Sequence, residues 1–493
     1  MKINTLLNQL ITYAKEQKLI NLDDLEYAIN QLLYLFRLDV YTQEPTDTSR
    51  EFSPLMADLL DYAQTVHILE NDFDTTKDNF EAKIMDCFLP RPSELNRQFY
   101  LLYKQGPKVA TDYFYHLSKA TNYIKTDRIN KNITYPYLGK YGKFDITINL
   151  SKPEKDPKLI ALSKGIKSEN YPLCALCMEN VGFYGTNELA PRSNHRVVSL
   201  SLNHEKDAWG LQYSPYAYYN EHCIVLKKIH EPMRVDATTF LELIDFINKF
   251  PHYTIGSNAG LPIVGGSILS HYHFQGGRYD FPIESAKVLA TYRKKRVDIE
   301  LLDWPLSVIR VIGQNEFDVL DRVNEIFEAW KKYSNPDLDI LSETTEKHNT
   351  ITPIVKLRKN KYEFYIVLRN NRTKPDRTYG IFHPREDYFH IKKENIGLIE
   401  VMGLAVLPGR LKKELDLIAQ CLITNEDPHL YPELEKHLPW IATLKPERLD
   451  IEYIDQYLKN EVGRIFELVL EDCGVFKSKD FPAFKHFLEK TIL

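Results

Sequence analysis

Two histidines one residue apart, followed at the same spacing by a glutamine, stand in the stretch 257–277 as His271-Tyr-His273-Phe-Gln275. On an extended backbone alternate side chains share a face. His271, His273 and Gln275 are therefore expected to line one ledge, while Tyr272 and Phe274 turn the other way into the core. Gly265, Gly266 and Ser267 precede that ledge, and glycine there lets backbone N–H groups approach a phosphate with no Cβ in the way. Neutral imidazole is a good nucleophile near pH 7, and its second ring nitrogen can donate to a backbone carbonyl that fixes the tautomer. Taken singly, each histidine reads as a satisfied core residue; the alternating pair with Gln275 and the paired glycines reverses that reading toward attack on a phosphate.

A second constellation is Cys174-x-x-Cys177, the spacing of half a zinc site, which His222 and His271 could complete as a Cys2His2 tetrahedron. An ordinary buried pair of cysteines is the alternative. A metal held through His271 would be structural, bracing the strand that aims His273. Chelation of one ion by His271 and His273 together is the opposing arrangement and would remove the nucleophile. The six cysteines are too sparse for a disulfide framework in a chain of this size, so reduced thiols are expected.

The elements that must position these groups follow from periodicity. From the start to about Ile129 the apolar spacing is helical, broken by Pro90-Arg91-Pro92 and Pro107. Phe144, Ile146, Ile148 and Leu150 then alternate with polar residues, which predicts a half-buried strand. Further strands are expected at Arg196 to Leu202, Trp209 to Tyr213, Cys223 to Leu226, Tyr253 to Ile255 and His271 to Gln275. Asp236 is placed to cap a helix from Ala237 to about Lys249. Beyond about residue 290 the reading is helix, with Arg293-Lys294-Lys295-Arg296 as a solvated helix face. Then comes a hairpin around Lys359-Asn360-Lys361, with arms Ile354 to Leu357 and Tyr362 to Leu368. Leu404, Val406 and Leu407 read as helical before a break at Pro408-Gly409. The expected class is α+β, mostly antiparallel sheets with helices, in three regions: helical 1–135, a central 136–290 and a sheet-and-helix 291–493.

A chain of 493 residues exceeds what one core usually organises, and 43% apolar with 27% charged residues is the composition of a soluble globular protein. A net charge of −5 provides no basic field for a nucleic-acid backbone. No run of about 18 uncharged apolar residues predicts a membrane span, and the opening stretch reads as an amphipathic helix and not a signal peptide, so the cytoplasm is the expected compartment.

The stretch Ser257-Asn-Ala-Gly-Leu-Pro-Ile-Val-Gly-Gly-Ser-Ile-Leu-Ser-His-Tyr-His-Phe-Gln-Gly-Gly277 resembles the histidine-triad superfamily, in which His-x-His-x-Gln marks the nucleotidyl transferases. In particular it resembles the second, longer bacterial type of UDP-glucose:hexose-1-phosphate (galactose-1-phosphate) uridylyltransferase. Further matches are 171–180 (Tyr-Pro-x-Cys-x-Leu-Cys-Met-Glu-Asn), 211–216, 219–226 (Tyr-Asn-Glu-His-Cys-Ile-Val-Leu) and 394–403 (Glu-Asn-Ile-Gly-Leu-Ile-Glu-Val-Met-Gly). Others are 83–87, 89–93 and 145–158, so the resemblance spans nearly the whole chain. Tyr272 departs from the pattern, which has Asp between the histidines.

The resemblance implies exchange of UMP between UDP-glucose and galactose 1-phosphate through a uridylyl-His273 intermediate, with Gln275 donating to a phosphoryl oxygen. It nominates Arg196, Lys152, Lys155 and Lys158 to offset the diphosphate, with Asn258, Gly266 and Ser267 also on the substrate. It places Leu176 beside the uracil and Glu400 or His383 on the sugar. It also implies structural zinc and a homodimer. Two rivals are a dinucleoside tetraphosphate phosphorylase, which would use the same motif on adenine, and a catalytically silent zinc-stabilised sugar-nucleotide binder.

Overall fold

The computed structural model describes residues 2–46, 50–151, 171–184, 192–266 and 268–492. The chain divides into two units: Met1–Asn130 with Pro153–Ala217 and Cys223–His230, and Lys131–Lys152 with Tyr218–His222 and Glu231–Leu493. The expectation of three consecutive regions meets two units built from interleaved stretches, because the chain passes between them several times around residue 220.

The first unit begins with helices, among them Ile3–Glu16, Leu25–Phe36, Phe52–Thr65, Asp74–Asp86, Pro92–Tyr103 and Pro107–Ala120. Their apolar residues recur every three or four positions, so each buries one stripe; Leu6, Leu7, Leu10, Ile11 and Ala14 do so on the first helix. Pro92 and Pro107 each stand at a helix start, where the missing N–H costs nothing. After the helices come β3 (Val198–Leu202), β4 (Glu205–Tyr213) and β5 (Cys223–Lys227), paired antiparallel in that order.

The second unit opens with β1 (Ile133–Gly139) and β2 (Gly142–Asn149), an antiparallel pair in which Phe144, Ile146 and Ile148 face the core as their alternation predicts. Its main ladder runs β7 (His273–Gly277), β6 (Thr254–Gly256), β11 (Asn349–Arg358), β12 (Lys361–Asn370), β10 (Val308–Gly313), β9 (Val297–Asp303), β8 (Lys287–Lys294). The helix Ala237–Lys249 has the expected bounds, with Asp236 and Thr239 in a reciprocal capping box. Lys359 and Asn360, both at positive φ, turn the hairpin between β11 and β12.

Two expectations fail. Residues 287–303 are a hairpin, not helix: Lys295 sits at positive φ in its turn, and β8 is an edge strand whose basic side chains discourage further pairing. Leu404–Pro408 is β13, parallel to β2, because Leu404, Ala405 and Leu407 bury against the same core as Phe144 and Trp304. Expected periods of 3.6 and 2 are indistinguishable over so short an apolar run.

Candidate active site and metal centre

The strand that carries the site is shorter at its start than its sequence suggests: β7 begins at His273, and His271 and Tyr272 lie in the bend before it. The opposite-face reading of Tyr272 holds. Its hydroxyl donates to Glu242 Oε2 at 2.6 Å and meets Thr239 Oγ1 at 2.8 Å, both on the helix Ala237–Lys249. The Arg234 guanidinium lies 4.0 Å over the ring. The residue that departs from the pattern of the resemblance is thus anchored on the helix Ala237–Lys249.

His273 is buried, and its Nδ1 lies 2.7 Å from the His271 carbonyl oxygen. A carbonyl only accepts, so the ring proton sits on Nδ1 and the lone pair on Nε2. Among the described residues, no hydrogen-bond partner meets Nε2. Burial pushes the imidazole down to about 4, the His271 carbonyl opposing it in part, so the ring is neutral at pH 7. Gln275 follows two residues on, with His222 Nε2 at 3.3 Å from its Oε1.

In the loop before the strand, Asn258 is buried and its Oδ1 accepts from Leu398 N at 2.9 Å. A Cβ on Gly266 would stand 2.6 Å from Asn258 Nδ2, so that glycine is required by the loop's own closure as well as by any anion it admits. Ser267, Lys152, Lys155 and Lys158 lie outside the described residues. Glu400 neither faces solvent nor stands free. It caps the short helix Leu398–Val401 by accepting from Gly397 N at 3.2 Å, and it pairs with buried Lys392 at 2.9 Å. His383 is buried, with Nδ1 on Pro384 O and Nε2 on Asn395 Oδ1, each at 3.1 Å. Arg196 spends four N–H directions on its own unit: Asp86 at 2.6 Å and the carbonyls of Pro90, Ser193 and His195.

Cys174 and Cys177 bring their Sγ atoms to 3.5 Å without a disulfide, and His230 Nδ1 lies 3.1 Å from Cys177 Sγ. With His271 they make a group of four side chains that could hold a metal ion. His222 is not among them, which corrects the expected ligand set. The reason is local: His222 precedes β5 and turns its ring against Tyr218 and Tyr219, whereas His230, three residues past the end of the strand, reaches Cys177. Sequence reasoning also missed Asn180, whose amide holds Cys174 O at 2.8 Å and Cys177 O at 2.9 Å and so shapes the knuckle. An Asn three residues after the second cysteine was the available signal. Leu176 is buried, and its N–H donates to Cys174 Sγ at 3.4 Å. Two thiols and two imidazoles suit a borderline-soft divalent ion, and about 3.8 Å is the sulfur–sulfur edge of a tetrahedron with 2.3 Å bonds.

An α+β framework thus presents a neutral, tautomer-locked histidine near a carboxamide, groups suited to carrying and stabilising a transferred phosphoryl. Models of the galactose-1-phosphate uridyl transferase N-terminal and C-terminal domains match residues 18–232 and 246–437. The chain is 47% identical to a galactose-1-phosphate uridylyltransferase of Clostridium perfringens, with 98% of each chain covered. It is 48% identical to one of Clostridium acetobutylicum over 99% of each, and 45% identical to one of Bacillus subtilis over 99% of this chain and 98% of that. The chain belongs to the galactose-1-phosphate uridyl transferase family. A yeast Ap4A phosphorylase Apa2 in complex with AMP superposes with a TM-score of 0.34 at 13% identity, over 67% of this chain and 94% of that one, too loosely to bear on activity.

Proposed function

We propose that the protein is a nucleotidyltransferase that moves UMP between UDP-glucose and galactose 1-phosphate by two displacements at His273. In the first, Nε2 attacks the α-phosphorus. An N–P bond forms, the bond from that phosphorus to the bridging oxygen breaks, and glucose 1-phosphate leaves with the electron pair. In the second, a phosphate oxygen of galactose 1-phosphate attacks the same phosphorus, the N–P bond breaks, and UDP-galactose departs with the imidazole restored. The leaving group is a sugar phosphate that needs little protonation, so no strong acid is required beside the nucleophile. Gln275 donates to the phosphoryl oxygen where charge develops and cannot relay a proton to water. The uridylyl-enzyme therefore waits for the acceptor.

The observation that carries this reading is the 2.7 Å contact between His273 Nδ1 and the His271 carbonyl, which leaves Nε2 as the reactive lone pair. Family membership supplies the substrate class. Asn258 and Gly266, which meet in the loop before β7, are proposed on the phosphates, and the C-terminal stretch 291–493 is proposed to take the hexose phosphate. Zinc is the proposed ion of the cysteine–histidine group; His271 would then hold the metal through its ring while its carbonyl holds His273, so that metal and nucleophile share one backbone position. A homodimer is proposed from the resemblance, with sedimentation as its check.

The test is substrate exchange. UDP-glucose and galactose 1-phosphate should give UDP-galactose and glucose 1-phosphate, with diadenosine tetraphosphate inert under phosphate. Phosphorolysis of the tetraphosphate without uridylyl exchange would overturn the proposal in favour of the phosphorylase reading.

A further inference from the structure

We propose that His222 is a positioning residue that sets the amide of Gln275 with its NH2 edge toward the reacting phosphate. The inference rests on the uridylyl-transfer reading above.

A carboxamide has two ends of nearly equal size and opposite use. Its nitrogen donates to a phosphoryl oxygen, whereas its oxygen repels one, and packing alone does not choose between them. His222 Nε2 lies 3.3 Å from Gln275 Oε1, and the ring is 3% exposed. Burial pushes this imidazole down to about 4, so it carries one ring proton at pH 7. His222 Nδ1 is enclosed and has no hydrogen-bond partner among the described residues. A proton there would be a buried N–H without an acceptor, while an unmet lone pair is the less costly defect. The proton therefore belongs on Nε2, where it donates to Oε1, and both Gln275 N–H groups are left for the substrate. Turning the amide over would set its NH2 against Nε2 and force the proton onto the unpartnered Nδ1.

The surroundings hold the ring in that pose. Tyr218 and Tyr219 lie against it with centroids 5.4 and 4.5 Å away, and His222 N donates to Tyr219 O at 3.1 Å. The segment 218–222 is fastened to the residues just beyond Gln275. Tyr219 Oη donates to Gly276 O at 3.2 Å, Arg278 N donates to Asn220 O at 3.2 Å, and the Arg278 guanidinium pairs with the buried Glu221 carboxylate. Gly277, at φ +158°, permits this approach: a Cβ there would stand 2.7 Å from Glu221 O. The ring is thus packed against two aromatic side chains and held to Gln275 through Nε2 alone.

The experiment measures kcat, KM and melting temperature for the full-length enzyme and its variants. His222→Leu is expected to lower kcat about 10- to 100-fold with KM for UDP-glucose changed less than about threefold. His222→Gln, whose amide nitrogen lies near the former Nε2, should recover most of that loss, and the shorter His222→Asn should not. In a Gln275→Ala background, adding His222→Leu should lower kcat no further. Equal losses in both backgrounds, or identical behaviour of the Gln and Asn variants, would overturn the proposal. If His222→Leu does not fold, the Gln and Asn pair decides alone. An inactive wild type would instead sink the functional reading beneath it.

Discussion

Among single residues, the buried histidines divide the work: His273 offers the Nε2 lone pair, whereas His230 and His271 stand with the cysteines. His273→Ala should abolish both half-reactions while the melting temperature stays within a few degrees, because the ring contributes one hydrogen bond to a well-packed strand; full turnover in that variant would end the assignment. Cys174→Ser should cost the metal and lower the melting temperature with some catalysis remaining, and metal content equal to wild type would remove Cys174 from the ligand set. The shared placement of His273 and Gln275 on β7 was legible because alternation on an extended chain is a local rule. His230 was not. Two histidines, eight residues apart, flank β5, and only the turn that seats His222 against Tyr218 and Tyr219 decides between them. The partners of Glu400 were hidden for a related reason, since Lys392 reaches it across a loop and not at helical spacing.

Elements carry the next level of constraint. The loop 257–270 closes on Asn258, which accepts from Leu398 N and leaves no room for a Cβ at Gly266. Gly266→Ala should therefore displace Asn258, destabilise by about 1–3 kcal/mol as overpacking does, and reduce kcat more than tenfold. Unchanged melting and turnover would show that the loop has slack. The helix Ala237–Lys249 could be read to the residue because cap, period and length agree. Residues 404–408 could not, since five apolar residues have no period of their own. Their strand exists because β2 offers a parallel edge and a shared core. Lys287–Asp303 is a hairpin whose second arm pairs with β10, and the alternation of Val297, Ile299 and Leu301 with Asp298 and Glu300 was the local signal that the helical reading passed over.

Over the whole molecule, several imidazoles are buried in neutral form. Burial holds His195 well below its ordinary value, His222 at about 4 and His390 at about 3; His390 is also depressed by neighbouring His437. Each is depressed in the folded chain, so below about pH 6.5 the unfolded state binds protons that the native state refuses, and stability falls as pH drops toward 4. The melting temperature should be level between pH 8 and 7 and fall by several degrees by pH 5; a flat profile across that range would mean these rings are solvated. Composition and charge excluded nucleic-acid binding as a first reading, and no described helix is long and apolar enough to cross a membrane. The interleaving of two units was not visible in the sequence, because contacts that return at residues 218–230 are set by tertiary pairing. Incubation with UDP-glucose labelled in both phosphates and no acceptor asks directly whether His273 carries the uridylyl group. One equivalent of glucose 1-phosphate carrying the β label should be released, with the α label left on the protein and mapping to His273. Release of no glucose 1-phosphate, or an α label found on any other side chain, would contradict it.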